Sequence, residues 1–193
     1  MRRSPLTCAL LAVLAMQGAV VGTQPARANF AAAEHVFDFA DERITESSGV
    51  AMGRTNPGVL FTHNDSGDGP RFFAVGPDGA TLAAYTVAGA SALDWEDMAA
   101  GPGANGGSSL FFADIGDNLR TRRFLRIFEV AEPTVVASAE DQVVPLIAVH
   151  EMVYSDGPHD AEGFFVTPDR QLAVITKELH GLSGIYLARP MVP

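Results

Sequence analysis

The chain is organised around the stretch Ser91–Asn118, SALDWEDMAAGPGANGGSSLFFADIGDN. Two short clusters of acids stand at its ends, and a glycine-rich turn and an apolar run lie between them. This order is typical of two antiparallel strands joined by a turn. Because the second strand reverses direction, its end lies beside the start of the first. The two acid clusters are therefore expected to meet at one end of the strand pair.

Two weaker copies of this pattern flank the central one. Glu46–Gly69 contains an acid, a small apolar strand, a Gly/Pro turn, a second strand and then an Asn-Asp pair. Asp160–Glu178 has the same order and ends in a Lys-Glu pair. The interval from Glu46 to Glu96 is one period of very roughly 40–50 residues, which is typical of β-propeller blades. The acids therefore mark an internal repeat.

Short strand candidates with turn residues between them fill the rest of the chain, and no segment has apolar residues at helical spacing for long enough to bury a face. One candidate, His35–Phe39, stands alone. The others form three meanders: Ser48–Met52, Val59–His63, Phe72–Val75 and Leu82–Val87; Trp95–Ala99, Ser109–Ala113, Phe124–Val130 and a strand within Val143–Tyr154; Ala161–Val166, Leu172–Thr176 and Gly184–Ala188. The predicted fold class is all-β, a β-propeller of four-stranded antiparallel blades.

The expected propeller is incomplete. Propellers have 4–8 blades, whereas the sequence provides two full meanders and a third that lacks its outer strand, so about three blades are expected. We therefore expect the chain to be the N-terminal part of a longer propeller. Open sheet edges also favour pairing with another copy, so a ring built from two chains is the alternative.

The first 28 residues have the features of a secretory signal peptide. Arg2-Arg3 precede an apolar stretch, and Ala26-Arg27-Ala28 is a small-x-small cleavage site. The apolar stretch is too short for a membrane anchor, and the single cysteine lies within it, so no disulfide is expected. The predicted organisation is a signal peptide at 1–28 and a propeller domain at 29–193. The predicted location is secreted and extracellular.

The charge of the protein restricts its partners. The formal net charge is −10, and removal of Arg2, Arg3 and Arg27 with the signal takes away three positive charges and leaves −13. This balance argues against binding nucleic acid or an anionic membrane and favours cations or basic partners. A solvated acidic surface that keeps a secreted protein soluble accounts for most of the charge.

The topology gathers the acids at one face, around the expected central channel. Carboxylate and amide oxygens are ligands that suit Ca²⁺, so these residues are candidate ligands of a calcium site. The alternative is that Asp and Asn side chains bond the backbone of their own turns. The candidate metal ligands are Glu46, Asp65, Asp94, Glu96, Asp97, Asp114, Asp117, Asn118, Asp160 and Glu162.

The motifs Glu-Ser-Ser-Gly, Asn-Asp-Ser-Gly, Asp-Trp-Glu-Asp, Asp-Ile-Gly-Asp-Asn and Asp-Ala-Glu-Gly, in this order, resemble those of a group of secreted bacterial β-propellers, mostly from actinomycetes. More distantly, the chain is similar to the esterase-like phytases and to the calcium-dependent lactonase and gluconolactonase propellers. In those families a Glu and Asn/Asp residues from several blades hold a divalent cation at the channel. The resemblance implies a metal bound by Glu46, Glu96, Asp114 and Glu162.

Two classes of function remain open from the sequence. The first is a hydrolase of esters, lactones or phosphate esters, in which Ca²⁺ polarises the substrate and a carboxylate or His159 activates water. The second is a non-catalytic extracellular module that binds a ligand or a protein. His159 has a structural alternative, as the cap of its turn. Lys177 is expected to form an ion pair with Glu162, and Trp95 is expected to be a packing residue.

Overall fold

The computed structural model describes residues 32–104 and 106–188, and this part of the chain is all-β, as predicted. It forms eleven strands and no helix. The strands are β1 (Ser47–Met52), β2 (Leu60–Asn64), β3 (Arg71–Val75), β4 (Thr81–Ala88), β5 (Trp95–Pro102), β6 (Ser108–Asp114), β7 (Leu125–Ala131), β8 (Gln142–Met152), β9 (Ala161–Val166), β10 (Leu172–Thr176) and β11 (Ile185–Leu187). The predicted signal peptide lies outside the described residues. The described residues therefore contain no helix that could cross a membrane.

The first eight strands form a single sheet in the order β1-β2-β3-β4-β8-β7-β6-β5. Strands β1–β4 are an antiparallel meander, and so are β5–β8. The two meanders join because Tyr85–Ala88 pairs in parallel with Gln142–Pro145. The sequence predicted separate four-stranded units. The structure differs because β8 has 11 residues, and its first part extends beyond β7 to reach β4.

The remaining strands form a three-stranded sheet in the order β11-β10-β9. The first strands of the three strand groups lie next to one another, β1 beside β5 and β5 beside β9. Side-chain hydrogen bonds join these neighbours: Ser48 Oγ donates to the carbonyl of Glu96 at 2.6 Å, and the carboxylate of Asp97 accepts from the amide of Phe164 at 2.8 Å. The starts of β5 and its neighbours are therefore held together.

Aromatic side chains form the core between β1–β4 and β5–β8. The Trp95 ring is 1% exposed and stacks on Phe112 with centroids 4.7 Å apart. Phe72 stacks on Tyr85 at 4.9 Å and also contacts Phe112. Offset and edge contacts of this kind stabilise cores beyond the area that they bury. Trp95 is thus a packing residue, as predicted, and it fixes the start of β5, where Asp94 and Glu96 lie on either side of it.

One predicted strand is wrong. Residues 35–39 contain no strand. Phe37 and Phe39 instead pack on the sheet face formed by Phe73, Val75 and Ala84. The alternation of apolar residues that predicted a strand was real, but it reflects side chains packed on a sheet face.

Candidate functional site

The three strand groups share one backbone arrangement at the end where the acids lie. In each, the residue after the second strand donates its N–H to the carbonyl of the residue that lies just before the first strand. The three bonds are Asp65 N to Glu46 O at 3.0 Å, Ile115 N to Asp94 O at 3.2 Å, and Lys177 N to Asp160 O at 2.9 Å. The structure therefore aligns Glu46 with Asp94 and Asp160. The period measured from Glu46 to Glu96 in the sequence was two residues too long.

A β-bulge follows in each group and decides where Glu96 points. In β5, Trp95 pairs with Asp114 and Asp97 pairs with Ala113, so Glu96 is an extra residue in the ladder. Glu162 is the extra residue in β9, and the shift in β1 falls between Ser47 and Val50. A bulge redirects a side chain that regular alternation would place on one face of the sheet.

Three of the predicted metal ligands come together. One carboxylate oxygen from each of Asp65, Asp94 and Glu96 lies within 4.8 Å of the other two. We call these residues the acidic triad. Asp65 follows β2, Asp94 precedes β5 and Glu96 occupies the bulge of β5, so two strand groups build the triad. Asp65 and Asp94 are partly buried and Glu96 is buried.

Glu96 is the unusual member of the triad. Glu96 is only 6% exposed. Its carboxylate accepts no hydrogen bond from a described residue. Burial first, and then the negative charges of Asp65, Glu162 and Asp94, raise the pKa of Glu96 to about 8. Hydrogen bonds from N–H groups normally offset the cost of burying a carboxylate. At Glu96 that compensation is missing.

The pKa of Asp94 is also raised, but a nearby positive charge opposes the rise. Burial and the charge of Asp65 raise its pKa above the ordinary value, although the guanidinium of Arg122 opposes this rise. Three carboxylates this close repel one another unless a positive charge lies between them. A hard divalent cation with oxygen ligands provides that charge, and carboxylates are its usual protein ligands.

Gly116 forms one wall of the acidic triad. A Cβ on this residue would collide with the Oδ2 atom of Asp94 and would lie 2.5 Å from Oε1 of Glu96. The backbone of Gly116 is held in place because its carbonyl accepts a 2.8 Å hydrogen bond from Arg122. Only glycine leaves the space in which the two carboxylates converge.

Gly116→Ala should therefore displace the carboxylates of Asp94 and Glu96 without unfolding the protein. The clashing atoms are the ends of side chains that can rotate, so we expect a change in unfolding free energy of less than about 1.5 kcal/mol. Cation binding should weaken at least about tenfold. Calcium titration of the variant measures this effect, with Gly69→Ala as the control because a Cβ there meets no atom within 4 Å. Unchanged calcium affinity in Gly116→Ala would contradict the assignment of the triad.

Four other predicted ligands have hydrogen-bonded carboxylates. Asp97 accepts from the amides of Met98 and Phe164, and Asp114 accepts from Arg122 and from the amide of Asp94. The carboxylate of Asp117 accepts from the amides of residues 121 and 122, and that of Asp160 accepts from the amide of residue 117 at 2.9 Å. These carboxylates join β5, β6 and β9 around the triad. Turn and backbone bonding was the alternative that the sequence left open for them.

The other three predicted ligands are exposed. Glu162 forms the expected ion pair with Lys177. Glu46 lines a cavity of about 280 Å³ with Asn64 and Arg71. Asn118 lies on the loop after β6. Of the four ligands that the family resemblance implies, only Glu96 belongs to the triad.

His159 is held firmly in a cluster of its own. Its Nδ1 lies 3.0 Å from a carboxylate oxygen of Glu178, and its Nε2 lies 3.2 Å from Asp156 and 3.0 Å from the hydroxyl of Tyr186. The ring packs edge-on against Tyr154 at 5.0 Å. Both ring nitrogens are thus engaged, which fits a positioned histidine. Its role as a general base stays a prediction.

Sequence reasoning missed Gly116 and Arg122. The glycine in the Asp-Ile-Gly-Asp motif was a detectable signal, since a glycine between two acids after a strand indicates a close approach of the backbone. Arg122 belongs to no recognisable motif, and only the fold brings it to Asp114.

Comparisons with known protein families, with curated proteins and with solved structures found no match to this chain.

Proposed function

We propose that this protein is a secreted β-propeller that binds a divalent cation, best Ca²⁺, through Asp65, Asp94 and Glu96. The observation that carries the proposal is the convergence of the Asp65, Asp94 and Glu96 carboxylates within 4.8 Å of one another, where Glu96 is 6% exposed and its carboxylate accepts no hydrogen bond from a described residue. Proteins rarely bury a charge without a partner. A cation at the triad supplies the partner that the described side chains do not.

Propeller architecture is supported by the repeated backbone bond at the acidic end and by the side-by-side arrangement of β1, β5 and β9. In a propeller the first strand of each blade lies nearest the central channel, and ligands bind at the face where these strands begin. Asp94 and Glu96 lie at the start of β5, and Asp65 lies at the end of β2, beside the start of β1. Secretion rests on the signal-like segment at 1–28 and on the family resemblance.

The ligand chemistry favours calcium over magnesium. The triad offers three carboxylates from two strand groups, an arrangement with more freedom than the near-ideal octahedron that Mg²⁺ requires. Ca²⁺ takes 6–8 oxygen ligands, so three carboxylates leave positions for water or a substrate. Hydrolysis of an ester, lactone or phosphate ester at this ion is the activity that the family resemblance implies. An extracellular module that binds the cation without catalysis is the alternative.

Terbium luminescence tests the cation site directly. Tb³⁺ replaces Ca²⁺ at oxygen-rich sites, and Trp95, the single tryptophan of the chain, lies between Asp94 and Glu96. Excitation of Trp95 should therefore give terbium emission that saturates with Tb³⁺ and decreases when Ca²⁺ is added. Glu96→Gln should lose at least about 90% of the emission at the same Tb³⁺ concentration, since it removes a charged ligand.

Glu140→Gln is the matched control, since Glu140 is exposed and the same charge is removed. It should leave the emission unchanged. Equal loss of emission in both variants would show that Tb³⁺ binds to the general acidic surface, and the proposed site would be wrong. Esterase, lactonase and phosphatase assays in Ca²⁺ and in EDTA then separate the hydrolase from the non-catalytic module.

A further inference from the structure

A second cavity lies beside Arg122, where β7 begins and β8 ends. Its volume is about 330 Å³, which is large enough for a small organic molecule. Phe124, Leu125 and Val153 form much of its wall. Phe124 is 38% exposed and Val153 is 75% exposed. Apolar side chains thus face solvent in a concave surface, where a ligand would bury them.

The same cavity contains an unpaired cation. Arg123 lines it, and among the arginine and lysine side chains that the structure describes only those of Arg54 and Arg123 make no ion pair with an acid. The neighbouring Arg122 is already bound to Asp114 and to the carbonyl of Gly116. In a protein with a net charge of −10, an arginine without an acidic partner beside an apolar cavity is a distinctive feature.

The acids near this cavity are occupied by other partners. Asp156, in the loop that contributes Gly157 and Pro158, accepts a 2.9 Å hydrogen bond from Tyr186 and pairs with His159. Asp114 is bound by Arg122. The guanidinium of Arg126 lies over the Phe124 ring at 4.7 Å and pairs with Glu151. The positive charge of Arg123 therefore remains available to a ligand.

We infer that this cavity binds a small organic carboxylate. The guanidinium of Arg123 pairs with the carboxylate group, because arginine presents parallel N–H donors that match its two oxygens. The hydrocarbon part of the ligand covers Phe124, Leu125 and Val153. Pockets of this composition, with apolar walls and a few polar groups, are typical of small-molecule sites. The inference does not depend on the cation site.

Benzoate and its neutral analogue benzamide test this inference on the full protein. Ligand-observed NMR should show saturable binding of benzoate, with an affinity at least about tenfold higher than that of benzamide, since a charged hydrogen-bonded pair is worth about that factor or more. Arg123→Gln should lower benzoate affinity at least about tenfold and leave benzamide unchanged. Arg54→Gln, which removes the other unpaired arginine, should leave both unchanged.

A second pair of variants tests the position of the ligand. Val153→Glu places a carboxylate at the cavity and should abolish benzoate binding, whereas Val136→Glu makes the same change at a residue that is 67% exposed elsewhere and should have no effect. Neither substitution disturbs a buried side chain, so both proteins should fold. Equal binding of benzoate and benzamide to the wild type, no detectable binding of benzoate, or equal effects of Arg123→Gln and Arg54→Gln would overturn the inference.

Discussion

Gly49→Ala should destabilise the protein severely, because it forces apart β1 and β5. A Cβ on Gly49 would lie 2.5 Å from the amide nitrogen of Met98 and 2.7 Å from the carbonyl carbon of Asp97, and it would also collide with the His63 ring. Gly49 is buried, and two of these three neighbours are backbone atoms that cannot rotate away. We expect a loss of about 3 kcal/mol or more in the free energy of unfolding, at the upper end of overpacking effects.

Chemical denaturation followed by Trp95 fluorescence measures the loss in Gly49→Ala. Gly69→Ala is the control, because a Cβ at that position meets nothing within 4 Å. It should change the unfolding free energy by less than about 0.5 kcal/mol. If the two variants unfold at the same denaturant concentration, then β1 and β5 do not approach as closely as described, and the acidic triad that depends on this approach is wrong.

Glu129→Ala should produce the second large loss. Glu129 is fully buried in β7, and its carboxylate accepts hydrogen bonds from Ser109 at 2.9 Å and from Arg170 at 3.2 and 3.3 Å, with His150 at 2.9 Å. Arg170 lies in the turn between β9 and β10, so its bonds to Glu129 join the three-stranded sheet to the eight-stranded sheet. Removal of one partner of such a network costs about 3–5 kcal/mol, because the other charges lose their partner.

The stabilisation from Glu129 should depend on pH. Burial alone would raise the pKa of Glu129, but the hydrogen bonds from Arg170, His150 and Ser109 bring it below the ordinary value of 4.5. The unfolded chain therefore binds a proton more readily, and the contribution of Glu129 is full above about pH 4.5 and is lost as the pH falls through the folded-state pKa.

Thermal unfolding between pH 7 and pH 3 measures both effects of Glu129. At pH 7, Glu129→Ala should unfold on the order of 10 °C below the wild type, and this difference should narrow as the pH falls. Glu151→Ala removes an exposed carboxylate that pairs with Arg126 from the neighbouring strand, and it should cost less than about 1 kcal/mol. Similar losses in the two variants would contradict the buried network.

The sequence predicted most of the strands because their signals are local. Alternating apolar residues and Gly or Pro turns define β2, β3, β6 and β10 almost to the residue. It did not predict the parallel pairing of β4 with β8, since that contact depends on the length of β8 and on the path of a long connection. The segment at 35–39 shows the same limit, because apolar alternation does not distinguish a strand from a chain that packs on a sheet.

The sequence also predicted the location of the site better than its members. It placed ten candidate ligands at one end of the strands, and the structure brings three of them together. Glu96 could not be distinguished from Asp97 or Asp114 by residue type. Its position depends on a bulge in the β5–β6 register, and a bulge leaves no clear pattern in a single sequence. The bond from Phe164 to Asp97 and the bond from Arg122 to Asp114 form only in the folded protein, so residue type alone does not reveal them.

Thermal unfolding of the wild type and of Glu96→Gln, in excess Ca²⁺ and in EDTA, tests the cation site at the acidic triad. A ligand that binds only the folded state adds about 2.7 kcal/mol at one hundred times its dissociation constant. The wild type should therefore unfold at a clearly higher temperature in Ca²⁺ than in EDTA, and Glu96→Gln should lose this difference. In EDTA the variant should be at least as stable as the wild type, because it lacks a carboxylate that the charges of Asp65 and Asp94 repel. A wild-type melting temperature that is the same in Ca²⁺ and in EDTA would contradict the cation site at Asp65, Asp94 and Glu96.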